Sequence, residues 1–286
     1  MKVSGFTIIR NGIKYFYPFR EAILSILPLC DELIVNVGDS EDKTYEAVKS
    51  IQSDKIKIIR RAWDMTLREG GKLLSVETNA ALKECTGDWG VYIQADEVLH
   101  EKYLDTVMNA MRNNLNRNSV EALRFKYRHF YGSYDYYQDN YRNWYIKEIR
   151  VIKLNAGIIS WGDAMSFRHE NTSPVEPIDI DAEIYHYGWV KPPDTMMLKR
   201  IDFHKLYHAD EEMLSVSESS FKFDDFGNLK RFEDTHPEVM KERIELSNWN
   251  FDAKLDQQHP DWIRKILIFL FPLTKRVKKL LKETSE

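Results

Sequence analysis

Cysteine is nearly missing from this chain of 286 residues, which has two, Cys30 and Cys85. Neither has the paired spacing of a zinc ligand, and two thiols make no disulfide framework, so a reduced, intracellular protein is the simplest expectation. No run reaches the ~18 apolar residues that a spanning helix needs. The opening "MKVSGFTIIRNG" carries one lysine and too short an apolar run for a signal peptide. Positive charge is not in excess: 41 Lys and Arg against 45 Asp and Glu leave a net charge of −4. That excludes a surface built as a whole to coat nucleic acid, and no nucleic-acid partner is expected. Internal repeats and low-complexity segments are also lacking. What is present is 43% hydrophobic and 13% aromatic residues, enough to bury a core. The length suits one large domain, or one domain with an appendage.

The first hundred residues alternate two textures. "VSGFTII" (3–9), "ELIVNV" (32–37), "KIKIIR" (55–60) and "WGVYIQ" (89–94) are rich in β-branched and aromatic residues, as strands are. Between them lie helix patterns: "PFREAILSIL" after Pro18, "KTYEAVKSI", and "KLLSVETNAALKEC". Alternation of this kind predicts a parallel sheet covered on both faces. A further helix pattern, "LHEKYLDTVMNAMRNNL", ends near a change of texture at about residue 118. Beyond it, "EALRFKYRHFYGSYDYYQDNYRNWYIKEIRVIKL" alternates apolar and polar residues like antiparallel strands. "GIISWGDAMSFRHENTS" reads as loop-rich, "AEIYHYGWVKPPD" as a strand ending at two prolines, and "TMMLKRIDFHKLYH" as a helix.

Ligands of open α/β sheets bind at the carboxyl ends of the strands. Here those ends carry Arg10 and Asn11, then Gly38-Asp39-Ser40, then Arg61 to Asp64, and finally Asp96 and Glu97. Asp39, Ser40 and Asp42, in "VNVGDSEDKTYEAV", are acceptors of the kind that ribose hydroxyls and base N–H groups need. Asp42 would equally serve to cap the following helix. In "QADE", Asp96 and Glu97 suit a hard divalent cation, which takes one or two carboxylates plus substrate phosphates. They also suit a solvated acidic turn that favours the next helix's N-terminus. Lys72 and Lys191 are candidate point charges for phosphate, or simply solvated lysines. "IIRNGIKYFYPF" has one glycine, so the glycine-rich phosphate loop of a nucleotidyltransferase is missing.

The aromatic region from Phe125 to Tyr145 fits the apolar faces of sugars, RNA stacking, or simply the core of an antiparallel layer. The tail "DWIRKILIFLFPLTKRVKKLLKETSE" sets an apolar block, Ile266 to Phe271, beside Lys275, Arg276, Lys278, Lys279 and Lys282. Residues 262–282 therefore suit an anionic membrane surface, or a helix that docks on the domain or on a second subunit.

The order of "IIRNG", "VGDSEDKT", "TNAALKECTGDW" and "QADE" resembles that of the family 2 glycosyltransferases of GT-A fold. That family carries a first strand ending near Asn, a D-x-G-S-T-D-G-T loop, an R-N-x-(G/A)-L segment, and T-G-D-W before D-A-D-E. The resemblance implies an α/β GT-A fold: a Rossmann-like, mostly parallel sheet with helices on both faces, a smaller antiparallel acceptor-side layer, and C-terminal helices. Residues 1–117 would form the nucleotide-sugar half, 118–210 the acceptor-side half of the same domain, and 211–286 a C-terminal extension. It implies a UDP- or GDP-sugar donor bound among Arg10, Asn11, Asp39, Asp42, Lys72, Asn79, Gln94 and Asp96. Asp42 would face the nucleoside, Asn79 would match the family's Asn, and Asp96 the last carboxylate of its D-x-D. His186 would join Asp96 and Glu97 around Mn²⁺ or Mg²⁺. Asp163 or Glu170 would be the base that deprotonates the acceptor hydroxyl. Two positions depart from the family: Val37 stands at its first loop Asp, and Gln94 at the first Asp of D-x-D. The expected activity is inverting transfer of a sugar to a glycan or lipid-linked acceptor, in the cytoplasm or at the inner face of the membrane. The alternatives are a catalytically silent nucleotide- or sugar-binding protein, and behind it a nucleotidyltransferase.

Overall fold

The computed structural model describes residues 1–67, 69–139, 145–207, 229–251, 253 and 255. The expected alternation is there. β1 (Val3–Ile9), α1 (Phe19–Ile26), β2 (Glu32–Gly38), α2 (Thr44–Lys49), β3 (Ile56–Arg61), α3 (Lys72–Lys83) and β4 (Trp89–Tyr92) follow one another. β1 pairs in parallel with β2 and β4, and β2 with β3. Every residue of β1 and β2 is buried, as strands covered on both faces require. The edge strand β3 is half exposed.

Period-two alternation sorts the side chains between two cores. Leu33, Val35 and Val37 meet Phe19, Ile23 and Ile26 of α1 on one face. Ile34, Phe6 and Ile8 meet Leu73 and Ala81 of α3 on the other. In α1 the buried residues Phe19, Ala22, Ile23 and Ile26 recur at the spacing of one helix face, behind Pro18 at the N-cap. Burying each of the larger three contributes about 1.5–3 kcal/mol.

A short strand, β5 (Glu97–Leu99), then precedes α4 (Leu104–Asn114). The sequence pattern assigned Leu99 to a helix. It is in a strand because Val98 and Leu99 are buried and pair with a later strand. β6 (Ala122–Tyr131), β7 (Ser133–Gln138) and β8 (Lys147–Lys153) are antiparallel, as their alternation predicted. They extend the same sheet, because β8 pairs antiparallel with β4. The stretch read as loop-rich forms a hairpin, β9 (Ile158–Trp161) with β10 (Ser166–His169). β11 (Pro177–Trp189) lies between β6 and β5, and α5 (Pro193–Tyr207) follows at the expected proline break. β12 (Leu229–Arg231) edges β7, and α6 (Lys241–Glu245) comes last. Among the described residues no helix is long and apolar enough to cross a membrane. The basic tail, 262–282, lies outside the described residues.

The molecule is thus a mixed α/β fold with helices on both faces of its parallel strands, in the order β3-β2-β1-β4. Of the aromatic region, Phe125, Tyr127, Phe130, Tyr131, Tyr134 and Tyr136 are buried. They are core, the plainest of the readings that their sequence allowed.

Candidate active site

The chain steps outward from β1 to β3 and returns to the other side of β1 for β4. Connections diverge at that switch, and a crevice opens at the carboxyl ends of the two strands. A cavity of about 580 Å³ lies there. Ile9 lines it from the end of β1 and Arg10 from just past it, and Gln94 and Asp96 from beyond β4. Asp163 reaches it from the β9–β10 turn, His186 from β11, and Lys199 and Asp202 from α5.

Asp96 is largely buried, with Oδ2 3.4 Å from Lys199 Nζ and 3.7 Å from His186 Nε2. Burial alone would raise its pKa, but Lys199 and then His186 outweigh that and hold it well below the usual carboxylate range. His186 is oriented by a chain of acceptors. The Tyr145 carbonyl can only accept, so His129 Nε2 donates to it at 2.7 Å. His129 Nδ1 is left as an acceptor, and His186 Nδ1 donates to it at 3.0 Å. Burial, then the neighbouring His186, lowers the pKa of His129 to about 3, which keeps that ring neutral near pH 7. The bond between the two rings leaves His186 Nε2 turned toward Asp96. Gly188 completes the arrangement. A Cβ there would stand 2.6 Å from Asp96 Oδ2 and 2.7 Å from His186 Nε2, so both atoms border space that only glycine leaves open. A carboxylate oxygen and an imidazole nitrogen bordering one space are donor types that suit a divalent cation whose other ligands are phosphate and water. Among the described residues, no group of three or more His, Cys, Asp and Glu gathers at metal-binding distance.

Glu97 corrects the expectation from sequence. It is fully buried, and Arg150 Nε and Nη2 bind its two oxygens at 2.8 and 2.7 Å. The Tyr127 hydroxyl and the Gln94 backbone N–H also donate to it. With both oxygens engaged in the core, Glu97 is no metal ligand. It fastens the loop that carries Asp96 to β6 and β8. Gln94 reaches the cavity, and its side-chain amide donates to the Ala164 carbonyl at 3.0 Å, tying the floor to the β9–β10 turn.

Other expected donor contacts go to loops instead. Asn11 is buried, with Oδ1 accepting from the Glu41 N–H at 2.7 Å. Asp42 accepts from the Lys14 and Thr44 N–H groups, the loop-holding role that its position also allowed. Asn79 clamps α3 to β9, since its amide exchanges two hydrogen bonds with the Ser160 backbone. Asp39 does not line the cavity; it accepts from the Trp63 N–H and pairs with Arg10. Lys72 is exposed at the start of α3 and does not line the cavity. Lys191 is sealed in the core, donating to the Tyr15 carbonyl at 2.8 Å. Glu170 is exposed past the far end of β10, so of the two candidate bases only Asp163 reaches the cavity. Sequence reasoning missed Arg150, His129, Lys199 and Trp63. An arginine inside the apolar "EIRVIKL" was the one available signal, since a buried cation needs a buried anion.

Residues 7–170 match the family model described as Glycosyl transferase family 2. The chain belongs to that family. No curated protein sequence matches it. Solved structures similar to it include S. aureus TarS, at 15% identity over 71% of this chain and 39% of that one, with a TM-score of 0.41. Residues 1–349 of TarS in complex with UDP-GlcNAc give 13% identity over 74% and 69%, with a TM-score of 0.42. Glucosyl-3-phosphoglycerate synthase from Mycobacterium tuberculosis, in complex with Mn²⁺, UDP and phosphoglyceric acid, gives 20% over 44% and 43%, with a TM-score of 0.31. The chain spans less than two-thirds of the full TarS chain and of the synthase.

Proposed function

We propose that the chain transfers a sugar from a nucleoside-diphosphate donor, UDP- or GDP-linked, to a hydroxyl of a glycan or lipid-linked acceptor, with inversion. One observation carries the reading: the switch-point cavity collects Arg10, Asp96, Asp163 and His186 from four separate elements. Trp63 and Tyr17 add aromatic wall to the same space. The acceptor is met at Asp163, in the turn between β9 and β10. Its carboxylate takes the proton of the acceptor hydroxyl as that oxygen attacks the anomeric carbon. The bond from the anomeric carbon to the diphosphate breaks, and its electron pair leaves with the phosphate oxygen. Asp96 and His186 would hold Mn²⁺ or Mg²⁺, which when bound supplies charge stabilisation to the departing diphosphate. Gln94 brings no charge to that position, so Asp96 would be the one acidic side chain at the strand end to hold the cation.

Isothermal titration with UDP and GDP, with and without Mn²⁺, followed by a screen of sugar nucleotides for hydrolysis, tests the reading. Micromolar binding that is strengthened by Mn²⁺ and lost in Asp96→Ala, with the fold retained, is expected. Nucleotide affinity unchanged in Asp96→Ala removes the cation site. Absence of binding to either nucleotide removes the donor assignment. Binding with no turnover of any donor returns the chain to a silent binding protein.

A further inference from the structure

Neither lysine that the sequence suggested for phosphate reaches the cavity, but a third one does. Lys199, on α5, lines the cavity beside Asp96. Its ammonium lies 3.4 Å from Asp96 Oδ2, 3.2 Å from the Gly188 carbonyl, and 4.9 Å from the centroid of the Tyr17 ring. Lys191 stands behind it, and its pKa is driven well below the usual lysine range, first by burial and then by Lys199. Arg10 is the other fixed cation among the described lining residues. Its guanidinium is turned to Asp39 and lies 5.9 Å from the Trp63 ring centroid.

Resting on the donor reading above, we propose that Lys199 is the side chain that receives the donor's diphosphate beside Asp96. The chemistry is that of an ammonium point charge with three rotatable donors. Charge-assisted N–H···O contacts settle at about 2.7–2.9 Å. The contacts to Asp96 and Gly188, at 3.4 and 3.2 Å, are longer than that. The side chain is 14% exposed, and a charge so shielded from water interacts more strongly with an entering anion. Lys199 is also fixed on a helix and reaches the end of β4, where the leaving group gathers charge. Asp96 and His186 would then hold the cation, and Lys199 would meet the phosphate.

The test compares wild type, Lys199→Met and Lys199→Arg, with thermal melts to confirm folding. Inorganic pyrophosphate, UDP and GDP are titrated calorimetrically in EDTA and in Mn²⁺, and uridine is followed by saturation-transfer NMR. Lys199→Met should weaken UDP and pyrophosphate about tenfold to a hundredfold in EDTA, the range of a charge-assisted hydrogen bond. Uridine binding should not move, and Lys199→Arg should recover part of the loss. Equal weakening of UDP and uridine means a structural role and overturns the proposal, as does a folded Lys199→Met that binds UDP like wild type. If wild type binds pyrophosphate but neither UDP nor GDP, the donor reading falls, and Lys199 is judged on pyrophosphate alone. Wild type that binds none of these anions overturns both.

Discussion

The parallel and antiparallel halves of the sheet use their polar side chains differently. At the tips of β1 and β2, Asn11, Asp39 and Asp42 direct their side-chain oxygens at neighbouring backbone N–H groups. Short loops between buried strands leave backbone donors without partners, and these residues satisfy them. Along the antiparallel half, ladders satisfy the backbone, and side chains from β11 and the β9–β10 turn are left to face the crevice. The parallel half therefore shapes the cavity, whereas Asp163, His186 and Lys199 enter it from across the seam. Asp96 and Glu97 show the division at closest range. They adjoin in sequence, but one turns to the cavity and the other locks β5 to β6 and β8.

The seam is where the comparison breaks most visibly. Arg150→Met leaves the Glu97 carboxylate buried without its partner, which should cost about 3–5 kcal/mol in urea unfolding. Replacing both, as Glu97→Met with Arg150→Leu, should recover most of that stability, because the desolvation cost of both charges is removed. If Arg150→Met proves harmless, the pair does not join the halves. Next in size is Asp163→Asn. With a donor identified by the hydrolysis screen, it should lower kcat by about 10²-fold and leave UDP affinity unchanged. Loss of UDP affinity instead would assign Asp163 to donor binding and leave the base unassigned.

How much of this was legible follows the same division. Strand–helix alternation up to residue 94 was readable because β1 and β2 are buried on both faces and their loops are short. The switch point, and with it Asp96 in a cavity, follows from that topology. The partner of each carboxylate did not. "QADE" places two acids side by side, but which one turns inward depends on Arg150, 53 residues away from Glu97. No periodicity encodes a contact of that range. Asn79 and Asp42 lay in motif positions, yet their atoms satisfy backbone groups, Asp42 those of Lys14 and Thr44 and Asn79 that of Ser160 on β9. Lys199 was hidden differently. It sits in a segment that reads as an ordinary helix, and only its docking turns one lysine into the cavity wall.

The smallest effect separates the halves by pH. No histidine precedes His100, so acidification from neutral pH toward 5 acts on imidazoles only beyond the parallel strands. His236 is the case to follow. Its Nε2 donates to the Tyr134 carbonyl at 3.0 Å, and Nδ1 accepts from the Tyr187 hydroxyl at 2.8 Å. Burial lowers its pKa to about 4, against the pull of the Tyr134 carbonyl, from an ordinary 6.5. Between those values the unfolded chain binds more protons than the folded one, so stability falls as pH drops from 6.5 toward 4. The parallel half has the opposite kind of group. Glu32 is buried, but hydrogen bonds from Lys57, Thr86 and Ser4 hold its pKa far below the usual carboxylate range. Its contribution is present above about pH 4.5 and is lost only in stronger acid. Hydrogen exchange at pH 5, corrected for intrinsic rates, should therefore show β6, β7 and β11 losing protection while β1 and β2 keep theirs. In His236→Asn the slope of Tm against pH between 4 and 6.5 should shrink, since the amide oxygen keeps the acceptor for Tyr187 without a proton to gain. Equal loss of protection in both halves at pH 5 would mean that they open as one cooperative unit, and that the chemical division between them is not a division of stability.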